Sequence, residues 1–351
     1  MNNAVNRIID ANFNRAREAL RVLEDYARFN LNDSSISLYA KSLRHDLCAA
    51  VGQLPACDLL TARDTPADVG TQLSTEQELT RPDPLAVAAA AAKRLPEALR
   101  CLEEYTKIDN PSIAKDLEAI RYRAYTLEKQ LLTRAHRKHR FQNVQIYVLL
   151  TSKLCKYNIL DTTTQILAGG ADCIQLREKD IPDSELIPLA AKICDLCHRA
   201  GALFIVNDRP DIAILTNADG VHLGQDDMTV NQARKLLSPH KLAGKSTHSL
   251  DEVNRALAES PDYLAVGSIF PSPTKPSVTP SGLQLIENTR YMYPGPLIAI
   301  GGITPQNAHQ TIKAGASGIA VCSAVIAAEN PKTALTVLKN ALSDPNRTAH
   351  I

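Results

Sequence analysis

Between residues 173 and 323 a set of side chains recurs at spacings suited to anion and metal chemistry. Gln175, Arg177 and Lys179 alternate along CIQLREK (173–179), so an extended strand puts all three on one side. An inward-facing Arg and Lys of like charge are costly unless an anion arrives, which points to a phosphate-bearing ligand; a salt-bridge layer at the foot of a barrel is the competing structural reading. Asn207 and Asp208 close LFIVND (203–208), and Asp227 follows in HLGQDD. Carboxylates at neighbouring strand ends are the hard oxygen ligands that Mg2+ accepts, usually alongside waters and phosphate oxygens. Each could equally cap a helix, Asp227 most of all, because Asp226 is its neighbour and a helix is expected to begin there.

Ser246 ends KLAGKS (241–246), and Ser272, Thr274 and Lys275 follow in FPSPTKP, a proline-stiffened loop offering hydroxyls and an ammonium. Gly301-Gly302 after LIAI and Ser323 in GIAVCSA (318–324) combine close backbone approach with little side-chain bulk, the ingredients of a phosphate site. Two anion positions result, one beside Gly302 and Ser323 and one around Arg177, Lys179, Lys275 and an Asp208/Asp227 metal. A monophosphate on one substrate and a magnesium diphosphate on the other would fill them. No Ser/His/acid triad, HExxH or paired general acid stands out, so hydrolysis is not the natural reading.

Eight short apolar segments position these residues: 146–152, 173–179, 203–208, 220–224, 241–246, 263–270, 297–302 and 318–324, each followed by a helix-like or loop segment. Continuous apolar runs suit parallel strands covered by helices, and eight such units predict a (β/α)8 TIM barrel with its site at the strand C-termini. A doubly wound sheet is the second choice, disfavoured because no GxGxxG opens the first unit.

Residues 1–140 carry almost no strand-like stretch and are expected to form a separate all-α domain ahead of the barrel domain, 141–351. Helices are predicted along the N-terminus, over 35–51, over 85–105 and after Asn110-Pro111, with 53–83 as a long connection. EALRVLEDY (18–26) repeats as EALRCLEEY (97–105), and each copy precedes a helix bearing Leu43-Arg44 or Ile120-Arg121, so a duplicated helical hairpin is expected. Its Arg and Glu residues suit scaffold or subunit contacts better than a ligand site, which keeps homo-oligomerisation through this domain open.

In the 351-residue chain a net charge of +1 and the absence of Trp exclude a nucleic-acid footprint. The basic run RAHRKHR (134–140) reads as a solvated helix end at a domain boundary. No apolar run reaches the roughly 18 residues of a membrane span, no signal peptide is apparent, and the eight scattered cysteines suit a reduced, cytoplasmic setting. Cys194 and Cys197 form a CxxC before His198, but they fall inside an amphipathic helix and read as structural.

QLREK (175–179), NDRPDIAILTNADGVHLGQDD (207–227), GKSTHS (244–249), GSIFPSPTKP (267–276), AIGGI (299–303) and GIAVCSA (318–324) together resemble the thiamine-phosphate synthase family over about residues 144–340. The resemblance implies a TIM-barrel transferase that joins hydroxymethylpyrimidine diphosphate to a carboxylated thiazole phosphate, releasing diphosphate and CO2. It implies that Gln175, Arg177, Lys179 and Asn207 hold the pyrimidine diphosphate, Asp208 and Asp227 the Mg2+, and Ser246 and Lys275 the diphosphate or pyrimidine end. Ser272 and Thr274, with the backbone of Gly302, Cys322 and Ser323, would take the thiazole phosphate. Arg177, Lys179 and Lys275 would be the catalytic cations. Ser272 stands where the family often has Thr, which keeps the hydroxyl. The helical half resembles a domain fused ahead of this synthase in some bacteria, with RAREALRVLEDYAR (15–28) as its most specific stretch. Another phosphate-binding barrel, such as a sugar-phosphate isomerase or aldolase, and a non-catalytic thiamine-phosphate sensor are the alternatives.

Overall fold

The structure is a computed structural model that describes residues 3–72, 80–272 and 279–342. The chain divides into two compact units, Met1–His136 and Arg137–Ile351.

The first unit contains α1 (Asn3–Asp25), α2 (Ser34–Val51), α3 (Ala56–Ala62), α4 (Pro84–Thr106) and most of α5 (Pro111–Phe141). Local chemistry sets several starts. Asp33 accepts from the backbone N–H groups of Ser35 and Ile36 at the head of α2, and Asp83 from Ala86 N–H at the head of α4, where Pro84 takes the first turn. The expected connection over 53–83 is interrupted by α3 and a 3-10 turn at Val69–Gln72. Ile9, Leu20, Leu23, Leu43, Leu47, Leu95, Leu99, Leu102, Leu117 and Leu127 form one apolar core.

The sequence repeat reappears as paired geometry. Glu24 meets Arg44 at 3.1 Å and Arg21 at 3.5 Å, while its counterpart Glu103 meets Arg121 at 2.9 Å and Arg100 at 2.8 Å. Glu103 is 1% exposed. Burial alone would push its pKa up, but hydrogen bonds from Lys107 and Arg121 outweigh this and hold it below the ordinary value. Arg44–Glu24 and Arg121–Glu103 are largely buried braces within the bundle, whereas Arg21 and Arg100 are about half exposed.

The second unit is a closed parallel barrel: β1 (Ile146–Leu150), β2 (Cys173–Leu176), β3 (Leu203–Asn207), β4 (Gly220–Leu223), β5 (Leu242–Thr247), β6 (Tyr263–Val266), β7 (Leu297–Ile300) and β8 (Gly318–Val321), with β8 pairing back onto β1. Around it run α6 (Ile159–Ala168), α7 (Asp183–Arg199), α8 (Pro210–Leu215), α9 (Val230–Leu236), α10 (Leu250–Ala258), α11 (Gly282–Met292), α12 (Ala308–Lys313), α13 (Ser323–Ile326) and α14 (Pro331–Leu342). Strand and helix side chains such as Val148, Ile174, Phe204, Val221, Ile193 and Leu335 make the outer core. Tyr147, Cys173, Ile205, Tyr263, Ile298 and Ala320 belong to a separate inner cluster that Phe141 joins.

A polar residue precedes every even-numbered strand and staples the strand before it. Asp172 accepts from Ile146 N–H at 2.8 Å, Asp219 from Phe204 N–H at 2.8 Å and Asp262 from Ala243 N–H at 2.9 Å, and Ser317 Oγ from Leu297 N–H at 3.2 Å. Two of these carboxylates also correct the reading of the basic run. Arg137 Nε reaches Asp262 at 3.0 Å, Arg140 pairs with Asp219, and Phe141 stacks on the Tyr263 ring at 3.8 Å, so the end of the run is bound at the strand N-termini and is not a solvated tail. Cys194 and Cys197 lie buried in α7, with burial pushing both thiols up, to about 11 for Cys194.

Candidate active site

The strand C-termini open onto a cavity of about 480 Å³ whose lining includes Gln175, Arg177, Asn207, Ser246, Ser272, Gly302, Cys322 and Ser323. Barrel closure thus brings together eight sequence-selected residues spread over 149 positions of chain, from 175 to 323. Thr274 and Lys275 lie outside the described residues.

Gln175 is buried on β2, and its Nε2 has no hydrogen-bond partner among the described residues. A buried amide left unmet is costly, so this donor is poised for a ligand acceptor. Arg177 lies just beyond β2, its backbone N–H donating to Leu150 O at 2.8 Å. The alternation expected to run through Lys179 stops with the strand at Leu176: Lys179 is not among the cavity-lining residues and instead turns to Asp208, with Nζ 3.0 Å from Oδ2.

Asp208 follows Asn207 at φ +61, a left-handed conformation uncommon outside glycine, and its backbone N–H donates to His222 O at 2.8 Å. Asp227 is not a helix cap. Thr229 caps α9 through Gln232, whereas Asp227 Oδ2 turns back to accept from Gly224 N–H at 2.7 Å. Burial first, and then the neighbouring Asp208 carboxylate, raise the Asp227 pKa. Two carboxylates within hydrogen-bonding range of one another favour a shared proton or a cation, and their oxygen-only chemistry fits Mg2+.

Another part of the wall is built by backbone. Gly301 and Gly302 have φ +104 and +62, and a Cβ on Gly302 would overlap the carbonyl oxygen of Pro271. Asn307 clamps this turn, donating to Gly302 O at 2.9 Å and accepting from Thr304 N–H at 2.8 Å. Burial pushes the Cys322 thiol up, which argues against a thiolate nucleophile.

Sequence reasoning missed the cavity floor. His222 on β4 bonds Ser246 Oγ through Nε2 at 2.8 Å and Tyr263 Oη through Nδ1 at 3.1 Å, and Tyr263 Oη lies 3.0 Å from Tyr147 Oη. Burial, then the nearby Lys245, pushes the His222 pKa down to about 4. Gly244 makes room for this layer, because a Cβ there would strike the Tyr263 ring. The available signal was a polar His inside the otherwise apolar GVHLG strand.

A TIM barrel gathering cations, paired carboxylates and a glycine-built wall at its strand C-termini is an enzyme of the class that handles phosphorylated small molecules. Residues 146–325 match the thiamine monophosphate synthase family, and residues 7–130 match the ThiD2 family. The chain is 41% identical over 343 residues to thiamine-phosphate synthase of Synechocystis sp., covering 98% of each chain. It is 42% identical over 325 residues to the Gloeobacter violaceus thiamine-phosphate synthase, covering 93% of each. A solved thiamine phosphate pyrophosphorylase from Pyrococcus furiosus superposes with a TM-score of 0.54 at 34% identity, over 58% of this chain and 97% of that one. The chain belongs to the thiamine-phosphate synthase family. Among the described residues, no helix is long and apolar enough to cross a membrane.

Proposed function

We propose that the chain carries out its thiamine-phosphate synthase reaction by binding hydroxymethylpyrimidine diphosphate and a carboxylated thiazole phosphate together in the barrel cavity. The C–O bond to diphosphate breaks with its electron pair leaving on oxygen, the electron-rich aminopyrimidine stabilises the resulting methylene cation, and the thiazole nitrogen captures it. CO2 leaves the thiazole carbon, the electron pair left behind takes a proton from solvent, and the products are thiamine phosphate and diphosphate. This chemistry asks little proton transfer of the protein and much charge compensation at the leaving group.

Gln175 and Asn207 orient the pyrimidine diphosphate, Arg177, Lys179 and Lys275 set positive charge against the departing diphosphate, and Ser246 donates at the same end. Ser272, Thr274 and Ser323, with the backbone of Gly302 and Cys322, take the thiazole phosphate. Asp208 and Asp227 would hold Mg2+, which when bound neutralises charge on the diphosphate. The single observation that carries the reading is the Gln175 Nε2, unmet among the described residues, in a cavity that Arg177, Asn207, Gly302 and Ser323 also line.

The helical unit fits a structural or assembly role, including self-association, in a cytoplasmic enzyme with small-molecule partners. A coupled assay of diphosphate release with both substrates, with and without Mg2+, tests the reaction: release should need all three. Turnover of a sugar phosphate without metal would overturn it.

A further inference from the structure

The chain Tyr147–Tyr263–His222–Ser246 joins strands β1, β6, β4 and β5 across the barrel interior and ends at the cavity. Each hydroxyl in it has one proton to give, and the neutral imidazole has one N–H and one lone pair. Among the described residues, Tyr147 Oη has Tyr263 Oη as its hydrogen-bond partner, and Tyr263 Oη has only Tyr147 Oη and His222 Nδ1.

Two directions of donation satisfy the geometry. If Ser246 donated to His222 Nε2, then Nδ1–H would donate to Tyr263 and Tyr263 to Tyr147, leaving the proton of Tyr147, 3% exposed, without an acceptor among the described residues. An unmet buried donor disfavours that state by roughly tenfold or more in population. In the reverse direction Tyr147 donates to Tyr263, Tyr263 to His222 Nδ1, and Nε2–H to Ser246 Oγ. The protons of the buried Tyr147, Tyr263 and His222 are then all met, and that of the half-buried Ser246 is left for the cavity they line together.

We propose that Tyr147, Tyr263 and His222 are positioning residues that lock the direction of this chain, so that the Ser246 proton is free to be donated to the substrate. Ser246 then offers its proton to an acceptor at that point, an anionic diphosphate oxygen or an unprotonated ring nitrogen. The inference rests on Ser246 being a substrate contact, as read above.

Nitrogen NMR of the full chain with labelled histidine, at neutral pH, reads the direction without mutation. His222 should be protonated on Nε2 and bare on Nδ1; a proton on Nδ1 overturns the proposal. Steady-state kinetics provide the second arm. Tyr263→Phe should lower kcat/KM for the pyrimidine diphosphate roughly tenfold, with the KM for thiazole phosphate unmoved, and should add less than about twofold in a Ser246→Ala background. Full additivity of the two losses overturns the proposal. A Ser246→Ala variant with unaltered kinetics would remove Ser246 from the substrate contacts, a failure distinguishable from that of the chain direction because the tautomer is measured separately.

Discussion

Asp208 and Asp227 lie within hydrogen-bonding range of one another, and Lys179, 3.0 Å from Asp208 Oδ2, offsets only part of their repulsion. Asp227→Asn removes one repelling charge and one oxygen ligand together. Diphosphate release at saturating Mg2+ should fall roughly 100-fold, while the melting temperature in chelator holds or rises. In the unaltered chain, Mg2+ should raise the melting temperature by binding the folded state. Unchanged turnover in the variant would take Asp227 out of the metal site.

Gly302 lies at φ +62 against the Pro271 carbonyl. Gly302→Ala therefore strains the backbone by about 1–2 kcal/mol and displaces the wall proposed to hold the thiazole phosphate. The KM for that substrate should rise at least roughly tenfold, with the KM for the pyrimidine diphosphate little altered. Equal changes in both would mean that the wall is not specific to one substrate.

Lys275 is read as compensating charge that develops on the leaving diphosphate. Lys275→Gln should then lower kcat more than it raises KM, because the interaction strengthens in the transition state. Steady-state rates at varied pyrimidine diphosphate separate the two; equal loss in both parameters would place Lys275 in ground-state binding.

His222 is buried with its pKa pushed from 6.5 to about 4. As pH falls, the unfolded imidazole takes a proton first, so this contribution to stability is complete above about pH 6.5 and is lost on the way down to about 4. Between pH 7 and pH 5 the His222 part of the loss should be about 2 kcal/mol. Urea unfolding at the two values checks it: His222→Gln should show a shallower loss than the unaltered chain, and parallel losses would count against a neutral buried imidazole.

Arg121 and Arg44 brace equivalent glutamates, but Glu103 is the more deeply buried of the two. Arg121→Met should cost about 3 kcal/mol of stability in the full chain, and Arg44→Met less. Urea unfolding midpoints followed through the helical transition measure both, and the reverse order would mean that burial of the glutamate does not set the cost.

The class of fold and eight residues of the cavity lining were legible in the sequence because their signals are local. Eight apolar runs ending in polar tips specify strands and their C-terminal sides, and Gln175, Arg177, Asn207, Ser246 and Gly302 stand at or next to those tips. The repeated EALR segments likewise announced two matching helices. Where a reading depended on which atom finishes a turn, it stayed open: Asp227 could be a metal ligand or a cap because it precedes a helix, and Thr229 holds the cap while Asp227 bonds backward to Gly224. The basic run looked solvated because Asp219 and Asp262, which bind its end, are 79 or more residues away. His222, Tyr263 and Tyr147 belong to three different strands, so nothing in their spacing announces a shared hydrogen-bonded chain. Only barrel closure, which carries β4, β6 and β1 around one axis, brings their polar atoms within 3.1 Å and gives Ser246 a direction. Periodicity is a property of neighbours along the chain, whereas hydrogen-bond polarity belongs to atoms that meet only after the sheet has closed.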